Sequence, residues 1–297
     1  MNNKIVGAIF CLIAAILAGA RYVAAAIFMS STSTWSAELF QNSLNYVGPN
    51  LLIAAIVALV AGIGFLVCGL LKDGKKHPVA IVCPGGGYRR VCNFIEGHPY
   101  AKKLNAMGYH AVVVYYRVNV LARYPAPQDD LARAVRVVHA HAAEWNLDMT
   151  GYSVWGSSAG GHLAASFGTE NMGYVRYNLP KPGALILTYP VVTMGEKAHE
   201  GSRNFLLGAN PSEEDIDFAS IEQQVTENYP PTFLWWGDSD TCVPPDNSRM
   251  LKAALEEKNI PCECIEYTGV EHGVGIGKGL PCEGWFEKAV AFWETQR

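Results

Sequence analysis

One pentapeptide, Gly156-Ser157-Ser158-Ala159-Gly160, limits what the surrounding chain can fold into more than any other stretch. It follows the apolar, strand-like Tyr152-Ser153-Val154-Trp155 and reads G-x-S-x-G with Ser158 at its centre. In this pattern a strand turns so sharply into a helix that the central serine is held in a strained backbone conformation, and small residues two positions either side avoid a clash. Gly156 and Gly160 supply that clearance. A serine placed this way stands above the sheet edge at a helix N-terminus, where the Ala159 N–H is free to donate to an oxyanion. Ser158 is therefore the candidate nucleophile; the same five residues also fit an ordinary Gly/Ser loop, and the motif alone does not decide between the two.

The 297 residues have room for one α/β domain of about 200 to 250 residues and something more. Hydrophobic residues make up 50% of the chain and charged residues 17%, an imbalance that comes mainly from two apolar runs near the N-terminus. Ile5 to Met29 is apolar except for Arg21, and Leu51 to Leu71 carries no charge. Each is long enough for a hydrocarbon core of about 30 Å. Arg21 would cost about 2.5 to 3.5 kcal/mol at a span centre, whereas near the far end it can snorkel to the interface. A cleaved signal peptide competes for the first run, with Lys4 before Ile5 to Ala20 and Ala24-Ala25-Ala26 as the cleavage site. The second run following so soon favours a hairpin, so residues 1–76 are expected to form a membrane hairpin with spans 5–29 and 51–71, in contact with lipid. The linker Ser30 to Asn50 holds Glu38 and no Lys or Arg, while Lys4, Lys72, Lys75 and Lys76 flank the runs. Retention of positive charge predicts that both ends, and with them residues 77–297, are cytoplasmic.

A net charge of -4 without a basic stripe gives no electrostatic footprint for nucleic acid. The eight cysteines show neither C-x-x-C nor zinc spacing and read as free thiols in a reducing compartment; Cys262 and Cys264 share one face of a strand. No metal or organic cofactor is expected.

From His77 onward, strands and helices alternate, which predicts a mostly parallel sheet with helices on both faces. The expected strands are Pro78–Cys83, His110–Val118, the one ending at Trp155, Ala184–Tyr189, Thr232–Trp236 and Cys262–Tyr267. The expected helices are Pro99–Ala106, Asp129–Trp145, the one after Ser158, Asn247–Lys258 and Trp285–Trp293. In the second of these, Leu131, Val135, Val138, Ala142 and Trp145 form an apolar stripe at helical spacing. The irregular segment 194–229 interrupts the alternation and is read as a cap over the site.

Three further stretches fall at strand ends. Pro84-Gly85-Gly86-Gly87-Tyr88 follows the first strand and lets backbone come close to a ligand. Gly237-Asp238-Ser239-Asp240 follows the fifth and Val270-Glu271-His272-Gly273 the sixth. The order Ser158, Asp240, His272, each at the C-terminal end of a strand, is that of the α/β-hydrolase fold. Of the two carboxylates, Asp240 lies further out on its loop in a D-x-x-V-P arrangement and is expected to hold His272. Asp238, directly after the strand, is expected to cap the turn.

At Pro84–Tyr88, Tyr116-Arg117, Tyr124–Pro127 with Asp130, Gly156–Leu163, Tyr189–Val191, Leu207-Gly208, Pro230–Phe233, Val243-Pro244 and His272-Gly273 the chain resembles the BD-FAE-like carbohydrate acetylesterases related to hormone-sensitive lipase. The resemblance spans about Pro78 to Arg297. It implies deacetylation of acetylated sugars or similar small esters and supports Asp240 as the acid. The sequence departs from the family's HGGG at Pro84, which stands where histidine is usual and changes what anchors the loop. The N-terminal runs lie outside the resemblance.

Chemically, His272 would take the Ser158 proton, Asp240 would hold the imidazole tautomer, and the N–H groups of Gly86, Gly87 and Ala159 would bind the oxyanion. A lipase or peptidase on the same fold, or a membrane protein keeping the domain for binding alone, are the alternatives. His162 and Ser157 read as buried structural residues, and His98, His139 and His141 as surface or internally satisfied ones. One of Trp235 and Trp236 is expected in the core and the other at the site. Tyr88 and Arg89 either contact substrate or cap their loop.

Overall fold

The computed structural model describes residues 3–30, 34–73 and 76–297. They form two compact units, Met1–Lys76 and His77–Arg297.

In the first unit, α1 (Asn3–Met29) and α3 (Asn50–Asp73) pack antiparallel at points where small residues let the backbones meet. A Cβ added at Gly62 would lie 2.7 Å from Cys11 Sγ and 3.0 Å from Gly7 O. Both helices expose most of their isoleucines and valines, and among the described residues these two are long and apolar enough to cross a membrane. The segment between them is more than a linker. Ser36 caps α2 (Ala37–Val47), accepting the Leu39 N–H at 3.1 Å. Arg21 donates to the C-terminal carbonyls of α2, to Gly48 O and Leu44 O at 3.2 Å each. Those carbonyls lie at the negative end of the helix dipole, where a guanidinium is favoured. Lys75, part of the charge argument above, and Ser31 to Ser33 of the linker lie outside the described residues.

The second unit is built on β1 (His77–Cys83), α4 (His98–Ala106), β2 (His110–Val113), α5 (Ala126–Ala140), β3 (Leu147–Ser157), α6 (Ser158–Phe167) and β4 (Ala184–Thr188). It continues through α7 (Glu200–Leu206), α8 (Glu213–Ala219), β5 (Thr232–Gly237), α9 (Asp246–Glu257), β6 (Cys262–Tyr267) and α10 (Trp285–Thr295). The six strands are parallel throughout, in the order β2-β1-β3-β4-β5-β6. The alternation of each strand sorts its side chains to two faces. Val79, Ile81, Val154, Leu185, Leu187, Leu234 and Trp236 meet α5, α6 and α9 on one face. Ala80, Val82, Trp155, Ile186, Phe233 and Trp235 meet α4 and α10 on the other. The second face is aromatic: Trp155, Trp235, Trp285 and Phe286 form one contiguous group of rings, and cutting one to alanine would cost about 3 to 5 kcal/mol.

The expected elements recur with shifted ends. β2 stops at Val113, short of the expected Val118, although the Val114 N–H still reaches Val82 O at 2.9 Å. The α5 stripe is buried at Leu131, Val135 and Val138 but ends there, leaving Trp145 exposed beyond the helix. Trp235 and Trp236 are both buried, on opposite faces of the sheet, because consecutive residues of a central strand point to opposite sides; neither reaches the site. Segment 194–229 holds α7 and α8.

Candidate active site

β3 ends at Ser157 and α6 begins at Ser158, whose φ of +54° lies in the left-handed region that non-glycine residues rarely occupy. The turn closes only because its flanking residues lack side chains: a Cβ on Gly156 would run into Gly160 O, and one on Gly160 into Cys83 O. Such strain persists only where the surroundings over-determine it.

His272 and Asp240 converge on this serine from the loops after β6 and β5. His272 Nε2 lies 2.8 Å from Ser158 Oγ, and Nδ1 lies 2.6 Å from Asp240 Oδ2. A carboxylate on Nδ1 favours the tautomer with its proton there, which leaves Nε2 to accept from the serine. Asp240 is buried, and its other oxygen accepts the N–H groups of Cys242 at 2.9 Å and Val243 at 2.8 Å. Asp238 bonds elsewhere, accepting the Gly269 N–H at 2.8 Å and the Ser239 hydroxyl at 2.9 Å; these bonds, Gly269 first, hold its carboxyl below the usual range.

The glycine loop borders the same cleft. Gly86 has φ +124° and Gly87 φ +65°. Among the described residues no acceptor stands against either N–H, while Gly86 O accepts from Arg89 and Arg90 at 3.0 and 3.2 Å. Ala159 is buried in the first turn of α6, where backbone N–H groups lack helical partners. A cavity of about 530 Å³ joins Gly86, Gly87, Ser158 and His272, with Ile95 and Phe205 on its apolar side.

Tyr88 is fully buried and caps the loop from within: its hydroxyl lies 2.9 Å from His162 Nδ1, while Arg89 is exposed at the cleft mouth. His162 Nε2 lies 2.8 Å from Ala219 O, and burial lowers its pKa to about 4. It is therefore neutral, with Nε2–H donating to Ala219 and Nδ1 accepting from Tyr88, a structural part. Ser157 is buried as expected and accepts from Thr188 at 2.7 Å.

Several residues of the site went unread in the sequence. Glu96 is buried beneath the glycine loop, accepting the Gly85 N–H at 2.7 Å and the Tyr189 hydroxyl at 2.9 Å. Burial raises its carboxyl above the ordinary range, and those two bonds and nearby His272 pull it back. Its signal was a lone carboxylate in the otherwise uncharged Val91–Gly97 stretch. His199, Phe205 and Cys242 also line the cavity, and no local pattern marked them. No group of three or more His, Cys, Asp or Glu side chains with metal-site geometry occurs among the described residues.

A parallel six-stranded sheet, a left-handed serine between strand and helix, and an acid and a histidine from the next strand ends define an α/β-hydrolase fold with a Ser-His-Asp arrangement. The chain belongs to the BD-FAE family, whose model matches residues 71–255. It is 33% identical over 238 residues to endo-1,4-beta-xylanase B of Butyrivibrio fibrisolvens, covering 77% of this chain and 37% of that protein. It is 31% identical over 220 residues to an acetylxylan esterase of Xylanibacter ruminicola, covering 71% of this chain and 44% of that one. The chain thus spans less than half the length of these two relatives. Among solved structures, an acetyl ester-xyloside bifunctional hydrolase from Caldicellulosiruptor lactoaceticus superposes with a TM-score of 0.68 at 34% identity, over 74% of this chain and 84% of that one.

Proposed function

We propose that the protein is a membrane-anchored serine esterase that hydrolyses short-chain, acetyl-type esters, with acetylated carbohydrates as the physiological class. The single observation that carries this reading is the unbroken relay from Asp240 through His272 to Ser158, with spacings of 2.6 and 2.8 Å, at a cleft bordered by unbonded glycine N–H groups. His272 removes the proton as Ser158 attacks the ester carbonyl, and Asp240 stabilises the imidazolium. The oxyanion is held by the N–H groups of Gly86, Gly87 and Ala159, each such donor being worth about 2.7 to 4 kcal/mol in comparable sites. His272 then protonates the leaving alcohol, and water releases the acetate by the reverse proton traffic.

The acetylated-sugar substrate is supported by relatives named as an acetylxylan esterase and an acetyl ester-xyloside hydrolase. The anchor is supported by the exposed apolar faces of α1 and α3, and the cytoplasmic orientation by Lys4, Lys72, Lys75 and Lys76 against a linker without Lys or Arg. Turnover on p-nitrophenyl esters from acetyl to decanoyl, on acetylated xylo-oligosaccharide and on peptides tests the reading. Acetyl compounds should be fastest, and rates that climb steadily towards decanoyl would favour a lipase. Failure to react with a fluorophosphonate would favour the binding-only alternative. Alkaline phosphatase fused after Arg297 should be inactive in a bacterial host, and strong periplasmic activity would reverse the orientation.

A further inference from the structure

The glycine loop after β1 begins with Pro84, a residue with no side-chain donor or charge to anchor it. We propose that Glu96 supplies the anchoring and is the residue that positions the oxyanion loop against the nucleophile; this rests on the esterase reading above.

Gly85 is fixed at both of its backbone polar groups. Its N–H donates to Glu96 Oε2 at 2.7 Å, and its carbonyl accepts the Cys92 N–H at 2.9 Å. It has no slack sideways, since a Cβ there would lie 2.7 Å from Glu96 Oε2, 2.7 Å from Ser158 Cβ and 2.8 Å from Ser157 O. Gly85 is thus wedged between Glu96 and the nucleophile, and the carboxylate sets the distance from Ser158 to the Gly86 and Gly87 N–H groups that follow. Glu96 itself is carried on a π-helical turn, Asn93–Gly97, a wound-out geometry concentrated at functional sites.

The second carboxylate oxygen reaches the other half of the site. It accepts the Tyr189 hydroxyl at 2.9 Å, and that same hydroxyl oxygen, Tyr189 Oη, accepts the Gly275 N–H at 3.1 Å from the loop that carries His272. The Tyr189 ring meets the His272 ring edge-on at 4.9 Å between centroids. Every donor in this chain points towards Glu96, so one carboxylate ties the oxyanion loop to the histidine loop. A buried carboxylate is costly unless fully hydrogen-bonded, and these two donors are what retain it.

Glu96→Ala removes the anchor. Glu96→Gln keeps it, because the amide oxygen can accept from Gly85 while the NH₂ faces the Tyr189 hydroxyl, which can accept as well as donate. Per folded molecule, Glu96→Ala should lower kcat on p-nitrophenyl acetate by about 10² to 10³-fold, the loss of an oxyanion donor, with KM changed far less. Glu96→Gln should return to within about tenfold of the native chain. Hydrogen exchange in the peptide covering Pro84 to Arg90 should quicken in Glu96→Ala and not in Glu96→Gln. A native-like kcat in Glu96→Ala, equal impairment of the two variants, or unchanged exchange would each overturn the proposal. If Glu96→Ala does not fold, Glu96→Asp replaces it: the charge stays and the reach shortens, so a native-like kcat and exchange pattern would overturn the positioning role. Should the native chain hydrolyse no ester, the esterase reading fails by itself, and the exchange comparison still decides on Glu96.

Discussion

The floor of the cleft and its rim are built on opposite principles. The floor consists of Glu96, Ser157, His162 and Tyr189, all buried and all hydrogen-bonded into the fold. The rim consists of exposed or half-exposed residues on loops and on α7, among them Arg89, Arg90, His199 and Cys242. A buried polar group that loses a partner forfeits its full desolvation, about 1 to 3 kcal/mol, whereas an exposed one exchanges protein for water at little cost. The floor can therefore hold the relay to a fraction of an ångström. The rim is free to vary and, on the proposed esterase reading, is where a choice among alcohols would be made.

Substitutions can break this contrast at graded strengths. Ser158→Ala, which removes the group the floor exists to hold, should lower kcat by about 10⁶-fold and abolish fluorophosphonate labelling. Asp240→Asn should lower kcat by up to about 10⁴-fold by favouring the wrong His272 tautomer, with the thermal midpoint nearly intact. The assignment is wrong if Asp238→Asn is the variant that loses turnover.

His162 probes the floor through pH. Its folded pKa of about 4 lies below the ordinary 6.5, so between those values the unfolded chain holds a proton that the native one does not. Native stability should therefore fall as pH drops from about 6.5 to about 4, by about 1.4 kcal/mol per unit from this group and about 3 kcal/mol in all, as an order of magnitude. Glutamine can make both of its hydrogen bonds without titrating, so urea unfolding of His162→Gln across that window should show a flatter slope than the native chain. Equal slopes would mean that His162 is protonated in the fold.

The rim predicts smaller effects. Arg89→Gln should alter KM for acetylated oligosaccharides more than it alters kcat, and a kcat loss of the size seen at Asp240 would erase the floor-rim distinction. Smallest of all, Asp238→Asn should leave kcat within about threefold and lower the melting temperature slightly, because it bonds the Gly269 turn and not the relay.

How far the sequence was readable follows the same divide. Ser158, Asp240 and His272 were legible because each closes a strand with a short pattern, and the structure brings the three within hydrogen-bond reach. The strand cores were legible from apolar runs, while their ends were not: β2 stops where its only ladder partner, β1, ends at Cys83, and α5 gives way to turns after Ala140, with no change of hydrophobicity to mark either. Helix α2 was missed because it is only 11 residues long between two far stronger apolar runs, and its partner Arg21 comes from a different helix. Glu96 was passed over because an isolated carboxylate carries no period.

By itself, then, the sequence determined the alternation of strands and helices, the elbow at Ser158 and the order of the three chemical groups. These depend on steric rules acting over a few consecutive residues: clearance at Gly156 and Gly160, side-chain alternation along a strand, positive φ at a turn. Only the tertiary structure decided that Tyr88 faces inward, that both Trp235 and Trp236 are core, and that Glu96 joins Gly85 to Tyr189, a residue 93 positions away. Burial and hydrogen-bond partnership are properties of what the rest of the chain packs alongside, and no local pattern encodes that.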